Sequence, residues 1–361
     1  MRVLKKYAYD PDYAVAPGRL VREYVDLWSM TQKDFATRLE LSVESLNRIL
    51  AGTQPITRRT AEKLELVTKI AADTWMAVEE EYQQRRQKAE QAQQAETDAA
   101  WLKSMPLSQL IRRHAVKKCS DKTEQLREVL KFFQVGGVTA WNDVWTAPTV
   151  AARSSKCFES SPQATACWIQ LGINEAQSVE CGEYDHRAFA AAVKKIRTLT
   201  VQTPKEFVPE MKRLCQEAGV ALVFVPEIKG VHWNGATKWL SPGKAVIIMN
   251  NRGRFEDRFW FSFFHEAAHV LHDSKKELFI GDDSTTDMRE VKADSFAADV
   301  LIPRKWNSRV KAVANKWEII EIAGKLEVSP GIVAGRYEHL MDNYKTYCRL
   351  KRRFSMEDYL Q

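Results

Sequence analysis

Residues 264–272 read FHEAAHVLH and contain the pattern His-Glu-x-x-His, formed by His265, Glu266 and His269. Because four residues of an α-helix advance about 400° and roughly 6 Å, the two histidines share one face of a helix and can bind one metal ion. Glu266 lies about 100° around the helix from His265, where its carboxylate can accept a proton from water beside the metal. The stretch therefore predicts a helix that carries a hydrolytic zinc centre, with Glu266 as the catalytic base.

The residues upstream of this motif argue against a chance occurrence on a solvated helix face. Aromatic residues recur at a spacing of four before His265, which indicates a buried helix whose packing fixes the two imidazoles. GVALVFVPEI (219–228) has the β-branched run of a buried strand, and VHWNGATKWL and KAVIIMNN flank a turn at 241–244. The predicted order is strand, strand, turn, strand and then the long helix.

A zinc hydrolase needs a third protein ligand and an open fourth position. Residues 290–303, EVKADSFAADVLIP, have the pattern of a second helix that begins with Glu290. Glu290 is the predicted third ligand, and Asp294, one turn later, is predicted to accept the free N–H of a ligand histidine. His272 also falls on the ligand face and is an alternative third ligand, although a place behind the ligands or simple packing fits its position better.

Composition sets broad limits on the function. The 361 residues, 45% of them hydrophobic, suffice for two or three domains, and the net charge of +7 mildly favours a polyanionic partner. The six cysteines are scattered without a Cys-x-x-Cys pair, which is typical of reduced thiols in a cytoplasmic protein. The sequence shows neither a long apolar run nor an export signal, so no membrane partner is expected.

Three regions of the chain differ in amino-acid composition and hydrophobic pattern. Short helical patterns with sharp turns are followed by a polar, Gln- and Glu-rich stretch at 83–104, which predicts an exposed connecting helix. The chain then reads as helical to about 200, before the strands begin. We therefore expect a mainly α, multidomain protein with an α+β C-terminal domain: a helix-turn-helix bundle at 1–84, a connecting helix and helical middle domain at 85–202, and a zincin-like metallopeptidase domain with a small sheet at 203–361.

Residues 31–52, TQKDFATRLELSVESLNRILAG, have the pattern of two short helices separated by a tight turn. Thr31 and Ser42 are placed to cap the two helices, and Gly52 to end the second. The outward face of the second helix carries hydrogen-bonding side chains suited to base edges and phosphates. An ordinary αα-hairpin has the same spacing, so the pattern alone leaves both interpretations open. The predicted DNA-contacting residues are Gln32, Ser42, Glu44, Ser45, Asn47 and Arg48.

The C-terminal region resembles the ImmA/IrrE family of zinc metallopeptidases over about 203–340. The matching parts are the HEAAH helix, the second helix E-x-x-A-D-x-F-A-A-x-x-L-I-P, and SPGIVAGR at 329–336. The resemblance implies that His265, His269 and Glu290 bind zinc and that Glu266 is the catalytic base. One departure is Ala268, where members of the family often carry glycine; a methyl group at this position would crowd the cleft, which bears on activity and not on metal binding.

The N-terminal region resembles HigA-type antitoxins, a branch of the XRE-like helix-turn-helix repressors, over about 16–84. The matching parts are Pro17-Gly18, Gln32, the turn from Gly52 to Thr57, and Trp75. The resemblance implies a homodimer that binds a palindromic operator and, in many members, neutralises a toxin. Glu44 is acidic, so it either reads a cytosine amine or disfavours some sequences.

Two further patterns near the C-terminus have a plainer interpretation. EIAGKLEVSPGIVAGRYEHL, at 321–340, looks like a second helix-turn-helix, and we expect it to be packed inside the metallopeptidase domain. The basic segment LKRRF, at 350–354, is expected to be a solvated end and not a DNA contact.

These patterns predict a cytoplasmic DNA-binding regulator or antitoxin with Zn²⁺ as its cofactor. Its peptidase domain would cleave the chain itself or a helix-turn-helix repressor and so relieve repression at its own promoter. The alternative is an antitoxin-repressor whose metal domain only binds a cognate toxin or senses a signal. Glu266 favours the enzyme, because a binding domain needs no general base, whereas Ala268 favours the alternative slightly.

Overall fold

The computed structural model describes residues 16–152, 161–250, 254–273, 279–280 and 288–359. They form two compact units, one up to Ala100 and the other from Trp101 onward. Helices dominate both units, and the sheet lies in the second, so the predicted fold class is confirmed. The division into three domains at 84 and 202 stays a prediction. None of the described helices is long and apolar enough to cross a membrane.

The first unit is a bundle of helices with capped ends. The side chains of Thr31, Ser42 and Thr57 each accept a hydrogen bond from a backbone N–H three residues on, which defines where the second, third and fourth helices begin. Gly18 faces the backbone of Ile49 so closely that a Cβ would overlap it, and this lets the first and third helices cross in contact. The helices are α1 Pro17–Leu27, α2 Gln32–Arg38, α3 Val43–Leu50, α4 Arg58–Thr68 and α5 Ala72–Ser104, whose residues from Trp101 belong to the second unit.

Helix α5 contains the predicted connecting helix. It has 33 residues, and those from 87 to 97 are exposed. Pairs of opposite charge four residues apart, such as Arg86 with Glu90 at 3.0 Å, support this solvated stretch.

The second unit contains a four-stranded mixed sheet in the order β1-β3-β2-β4. Strand β1 is parallel to β3, and β2 is antiparallel to both β3 and β4. The predicted succession of three strands and a long helix is confirmed. The elements are α6 Leu107–Arg112, α7 Lys122–Phe133, α8 Val138–Ala152, α9 Pro162–Ser178, α10 His186–Thr198, α11 Pro204–Glu217, β1 Val220–Phe224, β2 Gly235–Ser241, β3 Lys244–Met249, α12 Glu256–His272, β4 Phe279–Ile280, α13 Met288–Leu301, α14 Asn307–Lys311, α15 Lys316–Leu326 and α16 Pro330–Met341.

Both faces of the sheet are buried. Leu222 and Ile247 face the core that contains α11, α12 and α16, whereas Val223 and Ile248 face the core that contains α7, α8 and α9. Gly172 of α9 lies against Ile248, and a Cβ there would come within 2.5 Å of that side chain. The sheet therefore holds the motif helix α12 on one side, while α9 packs on the other.

The second helix-turn-helix pattern is packing, as predicted. Helices α15 and α16 contribute to the core around α12 through residues such as Ile322 and Val333. The prediction of a solvated basic end at 350–354 is wrong. Arg352 donates to the carboxylate of Glu256, which is 0% exposed, and Phe354 is buried. A carboxylate buried at the start of α12 needs a cation and hydrogen bonds, and Arg352 supplies them.

Candidate metal centre

The motif helix and the start of the next helix bring three potential ligands together. Helix α12 buries its aromatic residues and presents His265 and His269, while the first turn of α13 presents Glu290. The Nε2 atoms of the two histidines are 3.0 Å apart. Glu290 lies 3.1 Å from His265 Nε2 through Oε2 and 3.4 Å from His269 Nε2 through Oε1. The three residues form one buried group whose ligand atoms all lie within 4.8 Å of one another.

The Nδ1 atoms of the two histidines bond to carboxylates, and this orients both Nε2 lone pairs toward one point. His265 Nδ1 lies 2.8 Å from Asp294 Oδ1, and His269 Nδ1 lies 2.6 Å from Asp273 Oδ2. A neutral imidazole that donates its Nδ1–H to a carboxylate presents a lone pair on Nε2. Two such lone pairs facing each other repel unless a cation lies between them.

The donor set fits zinc. Two imidazole nitrogens and one carboxylate are three of the ligands that Zn²⁺ takes in hydrolytic sites, where the fourth position stays open for water. Glu290 Oε2 is buried and lies 3.1 Å from His265 Nε2, as expected for an oxygen that shares a metal ion with that nitrogen.

Without metal, protons balance the charges of this cluster. Burial alone lowers the pKa of His265, but hydrogen bonds to Asp294 and Glu290 outweigh it and raise the pKa to about 10. Burial alone raises the pKa of Glu290, yet hydrogen bonds to His265 and His269 bring it down to about 2. The cluster therefore has a strong demand for positive charge, which a metal ion satisfies.

Glu266 lies beside the ligands and is held by strand β2. It is 1% exposed, and the hydroxyl of Thr237 donates to its Oε2 at 2.7 Å. Gly235 on the same strand approaches so closely that a Cβ would lie 2.6 Å from Glu266 Oε1. Burial raises the pKa of Glu266 against the opposing effect of the histidines. A carboxylate whose pKa moves toward neutrality is a better proton acceptor and donor at physiological pH.

The structure separates the two residues predicted to support the ligands. Asp294 bonds to His265, as its spacing predicts. His272 is exposed, its ring packs edge-on against Phe296, and it does not join the cluster. The sequence reading missed Asp273, although its position four residues after His269 is the signal that would have found it. The sequence analysis also missed Thr237 and Gly235. Both residues lie on β2, and they meet Glu266 because that strand packs against α12.

The predicted DNA-contacting residues lie at exposed positions of the first unit. Glu44, Asn47 and Arg48 are exposed on α3, and Ser45 is half-buried. Arg48 lies 3.5 Å from Glu44 and donates to Gln54 at 3.1 Å. The hydroxyl of Ser42 caps α3, and Gln32 is the first residue of α2. The contacts of the Arg48 side chain lie at the surface, where a ligand can replace them.

The comparison with protein families assigns part of the second unit. Residues 215–338 match the Peptidase_M78 family, described as the IrrE N-terminal-like domain. This stretch is IrrE-like. The match begins within α11 and ends within α16, so the IrrE-like domain contains the sheet, the motif helix and Glu290. The predicted resemblance of this region is confirmed.

Three solved structures are also similar to part of the chain. Antitoxin HigA of Pseudomonas aeruginosa, solved with the higBA promoter, is 23% identical, with a TM-score of 0.22, and the similarity covers 24% of this chain and 94% of that one. A second P. aeruginosa protein, in complex with its operator DNA, is 23% identical over 21% of this chain and 84% of its own, with a TM-score of 0.21. An addiction-module antidote protein of a HigA family from Coxiella burnetii is 21% identical over 23% of this chain and 92% of its own, with a TM-score of 0.22. No curated protein matches the chain.

Proposed function

We propose that this protein is a DNA-binding regulator whose IrrE-like domain is a zinc-dependent endopeptidase. The observation that carries the enzymatic part is the convergence of His265, His269 and Glu290 on one point, with the carboxylate of Glu266 held beside it. Glu266 is not one of the three ligand residues, so the site does not need it to coordinate the metal. It is the group that peptide hydrolysis requires.

His265, His269 and Glu290 would hold the metal, while Asp294 and Asp273 fix the orientation of the two rings. When bound, zinc supplies Lewis-acid chemistry, polarising a peptide carbonyl and lowering the pKa of a water molecule.

Glu266 moves the proton in this proposal. Thr237 holds one of its carboxylate oxygens, and the other accepts the proton of the attacking water. The same carboxyl group then donates that proton to the departing amine, so the peptide bond is hydrolysed and the base is regenerated. Gly235 keeps this carboxylate in place, because the strand contacts it without a side chain between them.

The first unit supports the DNA-binding part. Helix α3 begins at a capped residue after a tight turn and exposes Asn47 and Arg48, whose side chains match base edges and phosphates. We propose a homodimer that binds a palindromic operator at its own promoter. The substrate of the peptidase would be this chain itself or a helix-turn-helix repressor, and a cognate toxin is a further proposed partner.

Glu266→Gln tests the enzyme directly. Glutamine keeps the shape and the hydrogen bond to Thr237 but cannot accept the water proton. We expect the zinc-loaded variant to retain metal and DNA binding but to cleave itself or its partner regulator about 10²–10⁴-fold more slowly, as measured by gel and intact mass. Glu321→Gln, an equivalent change at an exposed residue that pairs with Lys325, should cleave like the wild type.

The same experiment separates the alternative function. If the wild type and Glu266→Gln both leave every regulator intact, and repression of the promoter is relieved equally in both strains, the metal domain binds a toxin or senses a signal and does not cut.

A further inference from the structure

A cavity of about 650 Å³ lies between α12, α13 and α16, next to the metal centre. The two sites share Asp294, which lines the cavity and bonds to His265. Phe261, Ile302 and Ile332 give the cavity an apolar wall. Its volume is in the range of roughly 300–1,000 Å³ that is typical of ligand sites.

The acidic residues in this wall already have partners. Asp294 is bonded to His265 at 2.8 Å, and Asp257 lies 3.3 Å from Lys351 Nζ. Lys351 also pairs with Glu338 at 2.5 Å, and the side chains of Asp257, Glu338 and Lys351 are at most 15% exposed. The carboxylates of the wall are therefore engaged within the protein.

The guanidinium groups in the wall are less well matched. Arg304 pairs with Asp299 at 3.0 Å. Arg258 and Arg336 also line the cavity, and no carboxylate among the described residues lies within ion-pair distance of either. The unmatched charges of the cavity wall are thus both positive, and they come from two different helices.

Arg336 is the more unusual of the two. It is half-buried, and burial lowers the pKa of its guanidinium. Its Nη2 donates to the carbonyl oxygens of Ala298 and Ile302, at 2.6 and 3.2 Å. Its Nε and Nη1 make no hydrogen bond to any described residue. Asp299, whose carboxylate pairs with Arg304, lies beyond ion-pair distance of Arg336 and offsets this desolvation only in part. A ligand carboxylate would match the guanidinium through two parallel hydrogen bonds.

Arg258 stands in a defined relation to the metal centre. It precedes His265 by seven residues, so both side chains lie on the same face of α12, about 10 Å apart along the axis. An extended peptide spans that distance in about three residues. A chain that passes the metal centre along this helix face would bring a side chain into the cavity.

We propose that this cavity binds an acidic side chain of the peptide substrate, about three residues from the bond that is cut, through Arg258 and Arg336. The inference rests on the proposed peptidase function and adds the substrate class to it. The apolar wall accommodates the neighbouring aliphatic or aromatic residue of such a peptide.

The test uses the full-length, zinc-loaded Glu266→Gln protein and fluorescein-labelled random octapeptide pools. The three pools differ at one fixed position, which is glutamate, glutamine or lysine. We expect the glutamate pool to bind about tenfold more tightly than the glutamine pool by fluorescence polarisation, since charge-assisted hydrogen bonds are about twice as strong as neutral ones. Adding Arg258→Gln should bring the two pools within twofold. Arg309→Gln, which removes an exposed arginine of α14 that does not line the cavity, should preserve the difference.

Arg336→Gln is a second variant for the same binding measurement, and it should also bring the glutamate and glutamine pools together. Because Arg336 also holds the end of α13, this variant is compared only if its thermal unfolding matches that of the parent protein. Equal binding of all three pools, or no binding, overturns the proposal. Binding of free succinate at micromolar concentration, measured by calorimetry, together with no peptide binding overturns it in favour of a small-acid sensor. A wild-type protein that prefers the glutamate pool but leaves it intact supports the cavity assignment and refutes the proposed cleavage.

Discussion

The metal centre and helix α3 use polar side chains in opposite ways. In the metal centre His265, His269 and Glu266 are at most 5% exposed, and each bonds to a named partner inside the domain. On α3 Asn47 and Arg48 are exposed, and the contacts of Arg48 go to other surface residues.

The difference determines what each region can tolerate. A buried polar group that loses its partner carries the full cost of desolvation, about 1–3 kcal/mol and more for a charge. An exposed ion pair contributes little, about 0–1 kcal/mol. Substitutions in the metal centre should therefore have large and specific effects, while those on α3 should leave the fold intact and act only through a partner.

Loss of a metal ligand should have the largest effect. We expect His269→Ala and Glu290→Ala each to weaken zinc binding by more than the ~10–100-fold typical of losing a group behind the ligands. Metal content and competition with a chelator measure it, and DNA binding by the same variants serves as the control. Full zinc occupancy in Glu290→Ala would show that Asp294 or His272, and not Glu290, is the third ligand.

Asp273→Asn should have the second-largest effect on zinc affinity. An amide accepts the Nδ1–H of His269 less strongly than a carboxylate does, so zinc affinity should fall by about 10–100-fold. His272→Asn, a change at the adjacent exposed residue, should bind zinc like the wild type. The reverse ranking of these two variants would mean that His272 and not Asp273 supports the site.

Arg48→Ala should weaken operator binding by roughly tenfold without changing the thermal stability of the first unit. Binding should also weaken steeply with salt because phosphate contacts release counterions. Titrations of promoter DNA at two salt concentrations measure both effects, with Arg187→Ala on α10 as a charge-matched control. If the full-length protein shifts no promoter DNA at low salt, the repressor proposal is wrong.

The smallest effect should come from the cap of α3. Ser42→Ala removes the oxygen that accepts the N–H of Ser45 and should lower the free energy of unfolding of the first unit by about 1 kcal/mol. Urea denaturation measures this loss, and Ser42→Asp, which keeps a capping oxygen, should restore most of it. An unchanged midpoint in Ser42→Ala would show that packing alone positions the helix.

The sequence predicted those parts of the site that follow from spacing within a helix. His265, Glu266 and His269 follow from the repeat of α12, Asp294 follows from its place one turn after Glu290 on α13, and Asp273 was within reach of the same argument. Thr237 meets Glu266 because β2 lies against α12, and no local pattern encodes the separation of 29 residues between them. The pairing of Arg352 with Glu256 across 96 residues was equally hidden, because a basic segment reads as solvated unless its buried partner is known.

The bond between Glu256 and Arg352 also has a consequence for how the chain is made. Glu256, at the start of α12, is synthesised 96 residues before its guanidinium partner. At about 5–20 residues per second, the carboxylate waits roughly 5–20 s for that partner. During this interval the nascent domain cannot bury the start of α12 without stranding a charge. The helix that carries His265 and His269 is therefore secured only late in the synthesis of the chain, once residue 352 has been made.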